Sequence, residues 1–283
     1  MRCAVLGSPI AHSLSPALHR AAYDHLSLDW SYEAVEVDSS GLERFLDGLD
    51  VTWRGLSLTM PLKRTVVPLV DSLDDWSRLS GVANTVLLAD GRRQGCNTDI
   101  PGAMAALAER VHDPLRSAVL RSAVVIGGGA TAASVLLALA ELGCTTARVL
   151  VREPARAEET VVAVSAHPRA PEVSVGTIAE SGPLTADIAV STVPADAQTP
   201  RLVAACAEVP VVFEVIYDPW PTPLARAAQD SGRRLVSGLD LLAHQAVIQV
   251  ELMTGRAVPV DLVRDAGRAE LARRAVQNSV AER

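Results

Sequence analysis

Short apolar runs alternate with amphipathic stretches along the chain. Arg2–Leu6 (RCAVL) is apolar and is stopped by Gly7 and Pro9, which predicts a strand. Pro16–Leu26 places Ala17, Leu18, Ala21 and Ala22 on one helical stripe, with Ser15 as N-cap and Pro16 at the first helical position. Tyr32–Val37 alternates as a strand does, Leu42–Leu49 reads as a short helix, and Gly55–Thr59 reads as another strand. Ala83–Ala89 and Gly91–Cys96 form an expected hairpin about Asp90-Gly91, and Asp99–Arg110 returns to helix.

His112–Leu120 (HDPLRSAVL) is polar, carries a proline and reads as the junction between two domains, 1–110 and 111–238. Beyond it come a strand at Ala123–Ile126, three glycines, and a helical run to Gly143. Further strands are expected at Ala147–Val151, Val173–Val175, Ile188–Ser191 and Val211–Val215, with helical patterns between several of them. Strands alternating with helices imply an α/β architecture with a parallel sheet and right-handed crossovers. After Gly238 a helix that is apolar nearly all round runs to Met253 and should be buried. A last amphipathic helix spans about Val260–Gln277.

Composition narrows the classes. The length of 283 residues favours two domains, and a hydrophobic share of 49% supports a sizeable core. The net charge of −7 argues against a nucleic-acid partner, since no positive field draws in phosphate backbone. The longest apolar runs, such as Val135–Ala140, fall far short of the ~20 residues a membrane helix needs. The chain opens directly on a strand rather than on a secretory signal. Cys3, Cys96, Cys144 and Cys206 are scattered without metal-ligand spacing, as expected for core residues in a reducing, cytoplasmic compartment. Of the 26 basic residues only one, Lys63, is a lysine. Arginine bias explains the rest but not the survivor. Lysine, unlike arginine, can lose its proton near neutral pH when its surroundings are tuned.

Ala123–Ser134 (AVVIGGGATAAS) combines a buried strand, a glycine turn and a helix of small residues. Such a turn lets the backbone approach a pyrophosphate, and the helix N-terminus supplies N–H donors. Gly127 and Gly129 fit G-x-G, while Ala132 stands where a third glycine would be. An ordinary strand-to-helix turn is the alternative. The next strand ends in Val151-Arg152-Glu153-Pro154-Ala155-Arg156. Two arginines there suit an adenosine 2′-phosphate, which favours NADP over NAD, while Glu153 either faces solvent or weakens that preference by repelling the phosphate.

Four polar segments follow apolar runs in the first half: GSPIAHSLSPALH from Gly7, GLSLTMPLK from Gly55, GVANT from Gly81 and GCNTDIPG from Gly95. Each alone is a loop with capping residues. Together with the glycine turn they closely resemble the shikimate dehydrogenase family, in order and over essentially the whole chain. The resemblance implies an N-terminal α/β substrate domain, a Rossmann-like doubly wound NADP domain and a cleft between them. It implies that the C-terminal helices, 239–283, complete the first domain.

The family pattern, carried over residue by residue, makes Lys63 the catalytic acid and base, with Asp99 tuning it. It gives Ser13 and Ser15 to the substrate carboxylate and Thr59, Asn84 and Gln245 to its hydroxyls, with Tyr217 also facing the substrate. Cofactor contacts fall to Gly127, Gly128, Gly129, Ala130 and Thr131 at the turn, and to Arg152 and Arg156 at the 2′-phosphate. Thr192, Val193, Pro194, Ile216 and Gly238 would lie along the nicotinamide half. Ser57 and Arg20 stand where the family has asparagines, the turn reads G-G-G-A-T, and Val151 and Glu153 depart from its NADP loop. The implied activity is NADP-dependent reduction of 3-dehydroshikimate to shikimate. Quinate and aminoshikimate dehydrogenases remain open, as does a non-catalytic NADP or shikimate sensor, which would have no need of Lys63 with Asp99. His12 and His244 are expected to be structural, His12 packing its loop. Gln245 sits in the apolar run after Gly238, and the alternative to a substrate hydroxyl is a bond to backbone at the domain junction. The oligomeric state is open, a homodimer included.

Overall fold

The computed structural model describes residues 1–113, 116–117, 120–179 and 182–281. Part of the expected junction His112–Leu120 therefore lies outside the described residues. In chain order the first elements are β1 (Arg2–Gly7), α1 (Ser15–His25), β2 (Ser31–Glu36), α2 (Leu42–Asp47), β3 (Trp53–Leu58), α3 (Leu62–Thr65), β4 (Ser72–Leu73), α4 (Asp75–Ser80), β5 (Thr85–Ala89) and β6 (Arg92–Cys96). Next come α5 (Asp99–Val111), a small ribbon of β7 (His112–Asp113) and β8 (Arg116–Ser117), β9 (Ser122–Ile126), α6 (Ala130–Glu141) and β10 (Thr146–Val151). The chain continues with α7 (Glu158–Ser165), β11 (Glu172–Thr177), β12 (Ile188–Ser191), α8 (Pro200–Ala205), β13 (Val211–Glu214), α9 (Pro223–Asp230), β14 (Arg234–Ser237), α10 (Gly238–Thr254) and α11 (Val260–Ala281).

These elements divide into two compact units, one of residues 1–98 with 242–283, the other of 99–241. The first unit is thus discontinuous in sequence. Its sheet has the order β2-β1-β3-β5-β6-β4. β1 pairs in parallel with β2 and β3, whereas β5 runs antiparallel to β3 and to β6. The β5–β6 hairpin turns through Asp90 and Gly91, both at positive φ (52° and 71°), the geometry expected of a two-residue type I′ turn. Along β1 alternate side chains serve different cores. Ala4 and Leu6 pack with Leu56, Leu58, Leu62 and Val86, while Cys3 and Val5 pack with Tyr23, Tyr32 and Met253. Gly55 admits α10, since a Cβ there would lie 2.8 Å from the Met253 side chain.

The second unit carries a six-stranded parallel sheet of order β11-β10-β9-β12-β13-β14. Strand order reverses at β9, so the crevice at the carboxyl ends of β9 and β12 is a topological switch point. Residues 132–140 of α6 are all buried, as its small apolar sequence requires. The helix α5 was expected with segment 1–110. It packs instead on α6 and β14, with Arg110 paired to Asp240 at 2.7 Å and Arg234 bonded to the Val111 carbonyl.

Two local expectations change. Helix α1 starts at Ser15, and Leu14 rather than Ser15 is its N-cap residue. No side chain caps the helix, although the Ser13 hydroxyl accepts from the Ser15 N–H at 3.3 Å. β14, a four-residue strand that opens on Arg234 and has only Leu235 and Val236 as its apolar core, was not expected at all.

Candidate active site

In the first unit, the expected ligand residues sit on loops at the carboxyl ends of β1 and β3 and beside them. Ser8 N–H bonds the Met60 carbonyl at 3.0 Å, and Thr59 N–H bonds the Leu6 carbonyl at 2.9 Å. A Cβ on Gly7 would meet Thr59 Cγ2 at 2.4 Å, so glycine there lets the opening loop and the Thr59 loop close up. Lys63 lies half-buried on α3, and its carbonyl accepts from Ala83 N–H at 2.8 Å, which brings the Asn84 loop alongside. Asn84 is buried and donates to the Gln245 Oε1 at 3.3 Å and to the Thr98 Oγ1 at 2.9 Å. Gln245, the expected hydroxyl ligand, also donates to the Leu242 carbonyl at 3.0 Å. Its amide therefore already has protein partners, both side-chain and backbone.

Beneath these loops runs a chain of buried polar groups. Tyr32 donates to Ser57 at 2.6 Å and Ser57 to the Gln249 Oε1 at 2.8 Å, while the Gln249 Nε2 donates to Thr85 Oγ1 at 2.8 Å. Thr85 in turn donates to the Asn84 Oδ1 at 3.0 Å. His19 stacks on Tyr32 with ring centroids 4.0 Å apart and shares the Gln249 Oε1 at 3.1 Å. Burial drives its pKa down to about 4, partly opposed by that bond, so the ring is neutral at pH 7. With Nε2 donating, its Nδ1 is left without a partner.

His12 was expected to pack its loop, but it is exposed, and what holds the loop is its backbone: the His12 and Ser13 carbonyls both accept from Arg274.

In the second unit, Asp99 is buried at the first turn of α5. The glycine turn has three distinct constraints. Gly127 has φ 112° and passes so close to Thr192 that a Cβ would lie 2.1 Å from its Oγ1. Gly128 lies under the Pro154–Ala157 turn, where a Cβ would meet the Arg156 carbonyl at 2.5 Å. In front of Gly129 nothing lies within 4 Å, and α6 begins there with no side-chain cap. Thr160 donates to the Gly128 carbonyl at 2.8 Å and fixes the turn from behind. The turn thus leaves open space before the free N–H groups of Ala130 and Thr131, the shape a pyrophosphate requires. Arg152 and Arg156 are exposed at the end of β10, and neither side chain bonds another described residue.

Thr192, Val193 and Pro194 follow β12, with Thr192 pinned to the Ile126 carbonyl by both its N–H and its hydroxyl. Ile216 and Tyr217 follow β13 and are half-buried. Gly238 presses on that segment, since a Cβ would lie 2.2 Å from the Val215 carbonyl oxygen. Glu214 organises the region. Its buried carboxylate accepts from Gln198 at 2.6 Å, Thr222 at 2.8 Å and the Ile216 N–H at 3.0 Å, and Gln198 also donates to Ser191 at 3.1 Å. Burial raises its pKa against those bonds. Sequence reading missed Glu214, Thr160, Gln249 and Arg274. No local motif marks them: Thr160, Gln249 and Arg274 take their roles from partners distant along the chain, and Glu214 from partners 2 to 16 positions away.

Comparison with known proteins agrees with this geometry. Residues 5–86 match the model of the shikimate dehydrogenase substrate binding domain, and residues 238–266 that of the shikimate 5′-dehydrogenase C-terminal domain. A shikimate dehydrogenase (NADP(+)) of Desulforamulus reducens is 32% identical over 93% of this chain and 93% of its own. The crystal structure of Mycobacterium tuberculosis shikimate dehydrogenase superposes with a TM-score of 0.84 at 36% identity, covering 95% of this chain and 99% of that one. That of Thermus thermophilus shikimate 5-dehydrogenase, in complex with NADP(H) and shikimate, gives 0.82 at 30% identity, with the same coverage of 95% and 99%. With this likeness spanning both units, the chain belongs to the shikimate dehydrogenase family.

Proposed function

We propose that the protein catalyses the NADP-dependent, reversible reduction of 3-dehydroshikimate to shikimate. The observation that carries this reading is the loop edge of the first unit, where Ser13, Thr59, Lys63 and Asn84 stand on interlocked loops. The open turn at Gly129 fits the pyrophosphate of the cofactor, which supplies the hydride when bound. Lys63 moves the proton: its ammonium donates to the developing alkoxide, and its neutral amine accepts in the reverse direction. Asp99 is assigned to setting the charge state of that amine. Ser13 and Ser15 orient the carboxylate, Thr59, Asn84 and Gln245 orient the ring hydroxyls, and Tyr217 faces the same ligand. Arg152 and Arg156 take the 2′-phosphate, while Thr192, Val193, Pro194, Ile216 and Gly238 border the nicotinamide. Ser57, where the family pattern has asparagine, commits its hydroxyl to Tyr32 and Gln249 and so supports the loops from below. The four buried, unpaired cysteines fit action in a reducing cytoplasm.

The test is an absorbance assay of NADPH oxidation with 3-dehydroshikimate and, separately, 3-dehydroquinate. Turnover confined to 3-dehydroshikimate is expected. A preference for 3-dehydroquinate would reassign the substrate, and no turnover of either would remove the enzymatic reading.

A further inference from the structure

The opening loop carries Ser13 out of the end of β1, and its middle, Ala11 and His12, is exposed. Locally it is braced by Ser13 N–H to the Ile10 carbonyl at 3.0 Å and by the Ser13 hydroxyl at the start of α1. A third brace comes from 261 positions away. Arg274, on α11, donates Nη1 to the His12 carbonyl at 2.8 Å and Nη2 to the Ser13 carbonyl at 2.9 Å. One rigid fork thus holds two consecutive peptide groups. Its third side is also fixed, because Nε donates to the Glu270 Oε1 at 2.8 Å. Glu270 is shared with Arg273, which bonds both of its oxygens, and those bonds hold its carboxyl at about 2. Two guanidinium groups against one carboxylate leave a net positive charge under the loop. Glu270, Arg273 and Arg274 lie beyond residue 266, where the match to the C-terminal domain model ends.

We propose that Arg274 is a positioning residue for substrate: it sets the Ser13 loop in the conformation that receives a carboxylate, and its charge favours an anion there. This rests on the reading of Ser13 as a carboxylate ligand. Preorganisation of this kind lowers the ordering that binding must accomplish.

The experiment compares wild type with Arg274→Met and Arg274→Lys, both changes at a side chain that is 21% exposed. Hydrogen exchange at the Ser13 and Ser15 amides should speed up in Arg274→Met and less in Arg274→Lys, whatever the substrate. Unchanged exchange would overturn the positioning role. In turnover, the KM for shikimate should rise about tenfold in Arg274→Met, with kcat and the KM for NADP unchanged. The penalty should be smaller for shikimate methyl ester, which lacks the negative charge. Equal penalties for acid and ester, or none for shikimate, would overturn the proposal. Faster exchange in the variant together with a wild type inert towards shikimate would instead leave the loop brace standing and remove the substrate reading.

Discussion

At the scale of single residues, two side chains carry separable consequences. Lys63, the single lysine of the chain, is the proposed proton donor and acceptor, so Lys63→Ala should reduce turnover on the order of 10²–10⁴-fold with substrate affinity affected less. Lys63→Arg keeps the charge but not the exchangeable proton and should be nearly as slow. Steady-state kinetics on the two variants checks this, and turnover close to wild type in either would show that the proton travels by another group. His19 concerns stability. Burial lowers its folded-state pKa from 6.5 to about 4, so the neutral ring contributes in full above pH 6.5 and that contribution is lost as the pH falls toward 4. A shift of that size corresponds to about 3 kcal/mol. His19→Phe, which keeps the ring beside Tyr32 but does not titrate, should flatten the fall in melting temperature between pH 7 and pH 4.

At the scale of elements, the proposed function gives cofactor choice to the β9–turn–α6 segment and the end of β10. Changing both Arg152 and Arg156 to Leu should raise the KM for NADPH and leave that for NADH little altered, because charge-assisted bonds to the 2′-phosphate are lost and nothing else is. Equal losses for the two cofactors would show that these side chains do not read the phosphate. Such elements were legible in the sequence for physical reasons. Strands buried on both faces, such as Ser122–Ile126 and Ile188–Ser191, read as uninterrupted apolar runs. The Asp90-Gly91 turn was legible because its positive φ values demand those residue types. Short elements carried too little pattern: β4 and α4 escaped notice, although Asp74 caps α4 by accepting from Ser77 N–H at 2.7 Å. In the site, Lys63 and the glycines stand out by residue type, whereas Gln249 does not. Its bond to His19 joins positions 230 apart, and only folding brings them together.

At the scale of the whole molecule, the first unit is built from two stretches of chain separated by all of the second. Met253 fills the space over Gly55, and Gln249 satisfies His19, Ser57 and Thr85. Residues 1–98 by themselves would leave that apolar surface open and those polar groups unpaired. The second unit is continuous and needs none of them. Order of synthesis and order of folding are therefore reversed: the part made first must wait for the part made last. A nascent chain halted with residues 1–241 outside the ribosome should already hold 99–241 in a protease-resistant form while 1–98 is still cut. Extending it through α11 should protect both. Resistance of 1–98 in the shorter chain would show that the N-terminal stretch folds unaided. In the cell, the same interval leaves all six strands of that sheet without the helix that packs over Gly55 while more than half of the polypeptide is still to be made, so that stretch is where chaperone binding should concentrate.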